Sequence, residues 1–339
     1  MRNVKTGFAL VVGLAAAGLL DPLPAAADGL KGTAYIAGHG GHLAIVNLAT
    51  LRAPSDVDKD RIVITEAGSE MEGKVAGMDF EEVKKGGGSH GSTIVGGKLF
   101  VGLLNGTVVA YDIKTGKKSK PMPVGKKFCD ATVGPDGNIY FEDMADGNVY
   151  VWDPKGMKTV DKLPIGKAVC GIAWTKGSDK AYVSDMAQGI VFVIDWKTKK
   201  TVKEIKDASM TFLHQIRMAP DQKHVWVSAA NEYGPGLGAR TQKPQIVVID
   251  TTTDTIVDRI VLPDDVNVHD VKFSPDGKTA LVAARTYGDD SILVLMNAAS
   301  HKIEKKVSAC AACHKAAGVT VSIDKGSPLL CGMAIDWKK

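Results

Sequence analysis

The sequence predicts an all-β chain, and three observations carry that prediction. Short runs rich in Val, Ile, Tyr and Phe are punctuated at about 8–12 residue intervals by turn chemistry such as Pro135-Asp-Gly137 and Pro275-Asp-Gly277. The runs repeat as units with a spacing near 40 residues. The chain holds 37 glycines and only 6% aromatic residues, which suits many turns. A four-stranded unit of that period is one blade of a β-propeller, a ring of small sheets around a central channel.

The units can be aligned by eye. Cys129-Asp-Ala-Thr-Val-Gly-Pro-Asp-Gly137, Ile139-Tyr-Phe141 and Val149-Tyr-Val-Trp-Asp153 match Cys170-Gly-Ile-Ala-Trp174, Ala181-Tyr-Val183 and Ile190-Val-Phe-Val-Ile-Asp195. His269-Asp-Val-Lys-Phe-Ser-Pro-Asp-Gly277, Ala280-Leu-Val282 and Ile292-Leu-Val-Leu295 follow the same plan. A Lys- and Thr-rich turn and a fourth strand, such as Thr255-Ile-Val-Asp-Arg-Ile-Val261, complete the unit. Units open at His90, Cys129, Cys170, His214, His269 and Cys331, separated by 39, 41, 44, 55 and 62 residues. Two insertions stretch the last gaps: the Gly/Pro-rich stretch from Asn231 to Pro244, and Ser308 to Leu330.

Cys331-Gly-Met-Ala-Ile-Asp-Trp337 copies an opening strand with no further strands after it. Thr33-Ala-Tyr-Ile-Ala37, His42-Leu-Ala-Ile-Val-Asn47 and Arg61-Ile-Val-Ile-Thr65 supply second, third and fourth strands. The C-terminal strand is therefore expected to join the N-terminal ones and close the ring, leaving no bare sheet edge. Six blades result, or seven if Glu70 to Ser89 holds another strand pair.

Met1 to Ala27 reads as a secretory signal peptide. Arg2 and Lys5 precede an uncharged apolar run from Gly7 to Leu20, and Ala25-Ala-Ala27 provides the small residues for cleavage. The run is short for a bilayer crossing, and no later segment is apolar enough to span. The expected mature chain, residues 28–339, is an exported propeller, periplasmic in a bacterium. The formal charge of +4 is modest and its lysines are dispersed, which gives no case for nucleic-acid binding.

Within the second insertion lies Cys310-Ala-Ala-Cys313-His314. Two thiols at this spacing can form thioethers with the two vinyl groups of a porphyrin, and the adjoining histidine then binds iron. The sequence therefore predicts one covalent haem c, attached through Cys310 and Cys313 with His314 as proximal ligand, on an insertion spanning about 308–330. Too little chain follows the motif to build a helical cytochrome domain, so the propeller must complete the pocket.

Every unit opens on His or Cys, and these positions converge on the channel mouth in a propeller. His90, Cys129, Cys170, His214, His269 and Cys331 can be a structural repeat, a source of the distal haem ligand, a second metal site, or, for Cys129 with Cys170, a disulfide. His39 and His42, in Gly38-His-Gly-Gly-His42, are further candidate distal ligands. So are Met144 and Met186 in the matching stretches Asp143-Met-Ala-Asp-Gly147 and Asp185-Met-Ala-Gln-Gly189, and Met333 after the insertion. His224 and His301 fall on turns or strand edges and read as solvated. Asp and Glu fall mainly in turns, and no carboxylate pair stands out for acid–base work.

Ser274-Pro-Asp-Gly-Lys278 and Val248-Ile-Asp-Thr-Thr-Thr-Asp-Thr-Ile-Val257 resemble the YVTN-type β-propellers, over about residues 90 to 300. More loosely they are similar to the haem-binding propeller of the dissimilatory cytochrome nitrite reductases. The resemblance implies a propeller fold. It does not bring nitrite reduction, because those reductases carry haem c on a separate helical domain while here the motif interrupts the propeller. The expectation is a periplasmic monohaem cytochrome that transfers electrons to or from a partner protein. In a stronger form it is a redox enzyme acting on a small molecule at the channel mouth, with His214 or His269 as the catalytic group. The competing expectation is a non-enzymatic accessory protein holding haem or a metal during maturation of a respiratory enzyme. A hydrolase dependent on calcium or zinc would need a carboxylate set that is not evident.

Overall fold

The structure, a computed structural model, describes residues 30–38, 42–50, 62–66, 69–70, 88–230, 242–263, 266–285, 291–308 and 330–338. These form six antiparallel sheets and a single short 3-10 turn, Leu48–Thr50. No helix among them is long and apolar enough to cross a membrane.

Blade 1 joins both ends of the sequence: Leu330–Trp337 is the inner strand, followed outward by Gly32–Gly38, His42–Asn47, Ile62–Glu66 and Ser69–Glu70. Blade 2 runs from Ser89–Val95 through Lys98–Leu103 and Thr107–Asp112 to Met122–Pro123. Blade 3 has Phe128–Val133, Ile139–Asp143, Asn148–Asp153 and Lys158–Pro164; blade 4 has Val169–Trp174, Lys180–Asp185, Ile190–Asp195 and Lys200–Lys206. Blade 5 has Leu213–Met218, His224–Ala229, Gln245–Asp250 and Thr255–Val261; blade 6 has Asn267–Phe273, Thr279–Arg285, Ser291–Asn297 and Ile303–Ser308. Each inner strand lies against the inner strand of the next blade, and that of blade 6 against that of blade 1. The all-β propeller architecture is thus present, with the expected union of the two ends made by pairs such as Tyr35 with Ala334. Residues 71–87, where a further strand pair was considered, lie outside the described residues.

Strand chemistry explains the layering. The middle strands are apolar on both faces, because each blade is covered by a neighbour on either side. Six apolar clusters result, one between each adjacent pair of blades, for example Phe100, Phe128, Ile139 and Phe141 between blades 2 and 3. The fourth strands face solvent: Lys158–Pro164 and Lys200–Lys206 bury only Leu163 and Ile205. Polar cross-links join neighbours at the rim, where Lys180 of blade 4 bonds Asp254 of blade 5 at 2.8 Å and the Tyr182 hydroxyl donates to the same carboxylate. At the centre the inner strands approach so closely that glycine is required. A Cβ on Gly91 would stand 2.3 Å from Asp130 Cα, and one on Gly332 would stand 2.7 Å from the His90 carbonyl oxygen.

Candidate functional site

The six unit-opening residues occupy one structural position. In every blade the register between inner and second strand slips at that residue, leaving extra chain on the inner strand. In blade 2, Ser89 faces Leu103 and Gly91 faces Gly102, so His90 is the unmatched residue. Cys129, Cys170 and His269 are unmatched in the same way. His214 with Gln215, and Cys331 with Gly332, form the corresponding two-residue bulges. A β-bulge re-aims its side chain, and six at one level form a ring of His and Cys. His90, His214 and His269 are 3%, 2% and 0% exposed, and all three cysteines are buried.

The ring is tightly assembled. His214 and His269 have ring centroids 3.8 Å apart, and His90 lies 5.5 Å from His214 and 5.9 Å from His269. His90 Nδ1 bonds the Cys129 carbonyl at 2.8 Å. Cys129 and Cys170 form a disulfide between neighbouring blades. Ser184 of blade 4 donates to the His214 carbonyl of neighbouring blade 5 at 2.6 Å, and Gln215 of blade 5 reaches past blade 4 to the Cys129 carbonyl at 3.3 Å.

One step further along the channel lies a charged layer that sequence reasoning missed. The Arg217 guanidinium of blade 5 reaches Asp130 of blade 3 at 2.6 Å and Asp270 of blade 6 at 2.9 Å. Asp270 also accepts the Met333 N–H at 2.9 Å, and Lys272 Nζ stands 3.7 Å from it. Although burial opposes its charge, the Asp130 and Asp270 carboxylates hold Arg217 firmly protonated. Glu142 is paired with Asp130 in the sheet register, and it is fully buried with neither carboxylate oxygen hydrogen-bonded. Burial, then the negative charge of Asp130, push its pKa well above the ordinary carboxylate range. Beside the acidic residues of the turns, three lie buried on strands here: Asp130 and Asp270 on inner strands and Glu142 on the second strand of blade 3. The signal available in sequence was the residue after each unit opening, which is Asp130, Gln215 or Asp270 wherever it is not glycine.

The mouth above the ring is the end where the links between blades enter. Residues 309–329, which contain Cys310, Cys313 and His314, lie outside the described residues, but they lead into the inner strand at Leu330, next to Cys331. Met144 and Met186 are on this same end and half-buried, since their N–H groups donate to the Lys127 and Ala168 carbonyls just before inner strands. Their loops are fixed by aspartates: Asp143 accepts N–H bonds from Lys126, Lys127 and Ala145, and Asp185 from Lys167, Ala168 and Gln188. His42 opens its strand opposite Gly38 at this end, and His39 is outside the described residues. Met333 does not join the site. Its side chain lies in the apolar cluster between blades 1 and 6 with Ile36, Leu281 and Leu293, so packing accounts for it. His224 and His301 are half-buried, not simply solvated: His224 bonds Asp221 at 2.5 Å, and His301 stands edge-on to Trp226.

The fold and this mouth define a β-propeller with a buried ring of imidazole and sulfur donors. Comparison with known proteins agrees with that class. Residues 167–320 match the family model described as the cytochrome D1 heme domain, a haem-binding propeller. Hydrazine synthase of Kuenenia stuttgartiensis shares the fold, with a TM-score of 0.52 and 20% identity. That match covers 63% of this chain and 64% of the hydrazine synthase chain, less than two thirds of its length. No curated protein matches the sequence.

Proposed function

We propose that the protein is an exported, periplasmic monohaem c-type cytochrome on a propeller scaffold, with Cys310 and Cys313 forming the thioethers and His314 binding iron. The observation that carries this reading is a buried His/Cys ring at the end of the channel where the chain following the Cys-x-x-Cys-His motif rejoins the propeller, at Leu330, one residue before Cys331 and 16 residues after His314. The donors fit the group, since imidazole and thioether are the ligands haem iron takes. Bound haem supplies one-electron transfer. The sixth ligand comes from the mouth: His39, His42, Met144 or Met186 from the rim, or an imidazole of the ring such as His214. Asp143 and Asp185 hold the rim loops in place, and the Arg217 layer closes the channel below. The electrons pass to or from a redox partner protein. If the iron instead takes up a small-molecule substrate, His214 and His269 are the candidate catalytic groups.

A second reading rests on the cytochrome D1 heme domain match: the mouth holds a non-covalent haem, in an enzyme or in an accessory protein of haem maturation. The full chain produced with the haem-attachment machinery separates the two. A pyridine haemochrome that survives acid–acetone extraction, and is lost in Cys310→Ala/Cys313→Ala, supports the c-type reading. Extractable haem retained in that variant supports the second. A chain that binds no haem in either form overturns both.

A further inference from the structure

Whichever group supplies the distal haem ligand, the ring also holds a compact trio of donors. His90, His269 and Cys331 present one ligand atom each, all within 4.8 Å of one another, and all three residues are buried. They come from blades 2, 6 and 1, so they meet only because the ring closes. We infer that this trio is a transition-metal site for a zinc or copper ion, distinct from haem iron.

The chemistry of the donors selects the ion. Two imidazoles and one thiolate are a borderline-to-soft set, suited to zinc or copper and unsuited to calcium or magnesium. Donor atoms around a tetrahedral or trigonal ion stand somewhat closer than 4.8 Å, so shifts of side-chain torsions about the bulges bring them onto it. The backbone already provides the usual outer support. His90 Nδ1 is committed to the Cys129 carbonyl, which sets its tautomer and leaves Nε2 as the nitrogen to ligate. Three protein ligands leave a fourth coordination position of a tetrahedral ion open. A second trio of donor atoms, His90, Cys129 and His214, is equally compact. Its sulfur is spent in the disulfide with Cys170, so it offers no thiolate. Closure by disulfide in blades 3 and 4 and by a metal in blades 1, 2 and 6 would thus brace both sides of one ring.

The inference concerns propeller residues and is tested apart from haem. Cobalt(II) chloride is titrated into the full chain and into Cys310→Ala/Cys313→Ala, followed by competition with zinc and with copper. One equivalent should bind in each, with a thiolate-to-cobalt charge-transfer band. Zinc or copper should displace it, and whichever does so at the lower concentration identifies the preferred ion. Cys331→Ser should abolish the band and weaken zinc binding at least about 100-fold, and His269→Asn should weaken it similarly. His224→Gln, which alters a half-buried histidine beside Asp221 outside the ring, should change neither. Circular dichroism shows whether each variant folds. If Cys331→Ser does not, His90→Asn and the wild-type titration decide. Absence of a thiolate band in the folded wild-type chain, or unchanged zinc affinity in folded Cys331→Ser, overturns the inference whether or not haem is attached.

Discussion

Arg217 and Arg259 make the same kind of bond in two different surroundings. Arg217 reaches Asp130 and Asp270 at 2.6 and 2.9 Å; Arg259 reaches Asp207 at 2.9 Å. The first pair of carboxylates is 0% exposed and its arginine 9%, whereas Arg259 and Asp207 are 39% and 33% exposed on the outer wall. Distance is therefore no guide to energetic weight. In the channel wall, removal of one partner strands the others without water. On the outer wall, water replaces what is lost. The inner strands carry the burden of specificity, and the outer strands mainly face solvent.

The sharpest way to break this contrast is Arg217→Met. Leaving Asp130 buried without its cation, and Asp270 with only Lys272 at 3.7 Å, should cost about 3–5 kcal/mol in urea unfolding. A loss below about 1 kcal/mol would show that water reaches this layer. Next in size is Cys129→Ser/Cys170→Ser, which releases a loop of 41 residues and should cost about 3–4 kcal/mol in the same assay. Glu142→Gln tests the other side of burial. Because the folded chain holds the Glu142 proton more tightly than the unfolded chain, its favourable contribution is complete below about pH 4 and is lost as pH rises through the raised pKa. The glutamine variant should match the parent near pH 4 and be the more stable of the two near pH 8. A parent whose melting temperature does not fall relative to the variant between those pH values would refute this. The smallest effect belongs to Arg259→Ala, at most about 1 kcal/mol and diminished by added salt.

How much could be read in advance follows the same divide. The repeat, the closure of Cys331-Gly-Met-Ala-Ile-Asp-Trp337 on the N-terminal strands and the ring of His and Cys were legible, because each recurs in every unit and periodicity exposes it. That each of those residues rides on a bulge was not legible, since a register slip leaves no mark in composition. The charged layer was hidden for another reason. Asp130 and Asp270 share the position after the unit opening, but Arg217 and Glu142 stand elsewhere in their blades, so the repeat spacing does not announce that the four meet. Met333 illustrates the reverse error: its place after the insertion drew attention to a side chain that, beyond the bulge at Cys331 and Gly332, lies in the apolar cluster.

The pairing of Gly32 with Trp337 joins residues 305 positions apart. Contacts of such range form late, because the entropy of drawing distant chain together must be met before they give anything back. The other blades can assemble while the chain is still being made; blade 1 must wait for its inner strand. The segment bearing Cys310, Cys313 and His314 precedes that strand, so the proposed haem attachment would find it before the circle locks. On this ordering, maturation of the mouth comes before the final clasp, and a circularly permuted chain with a preassembled first blade should fold faster yet be modified less completely.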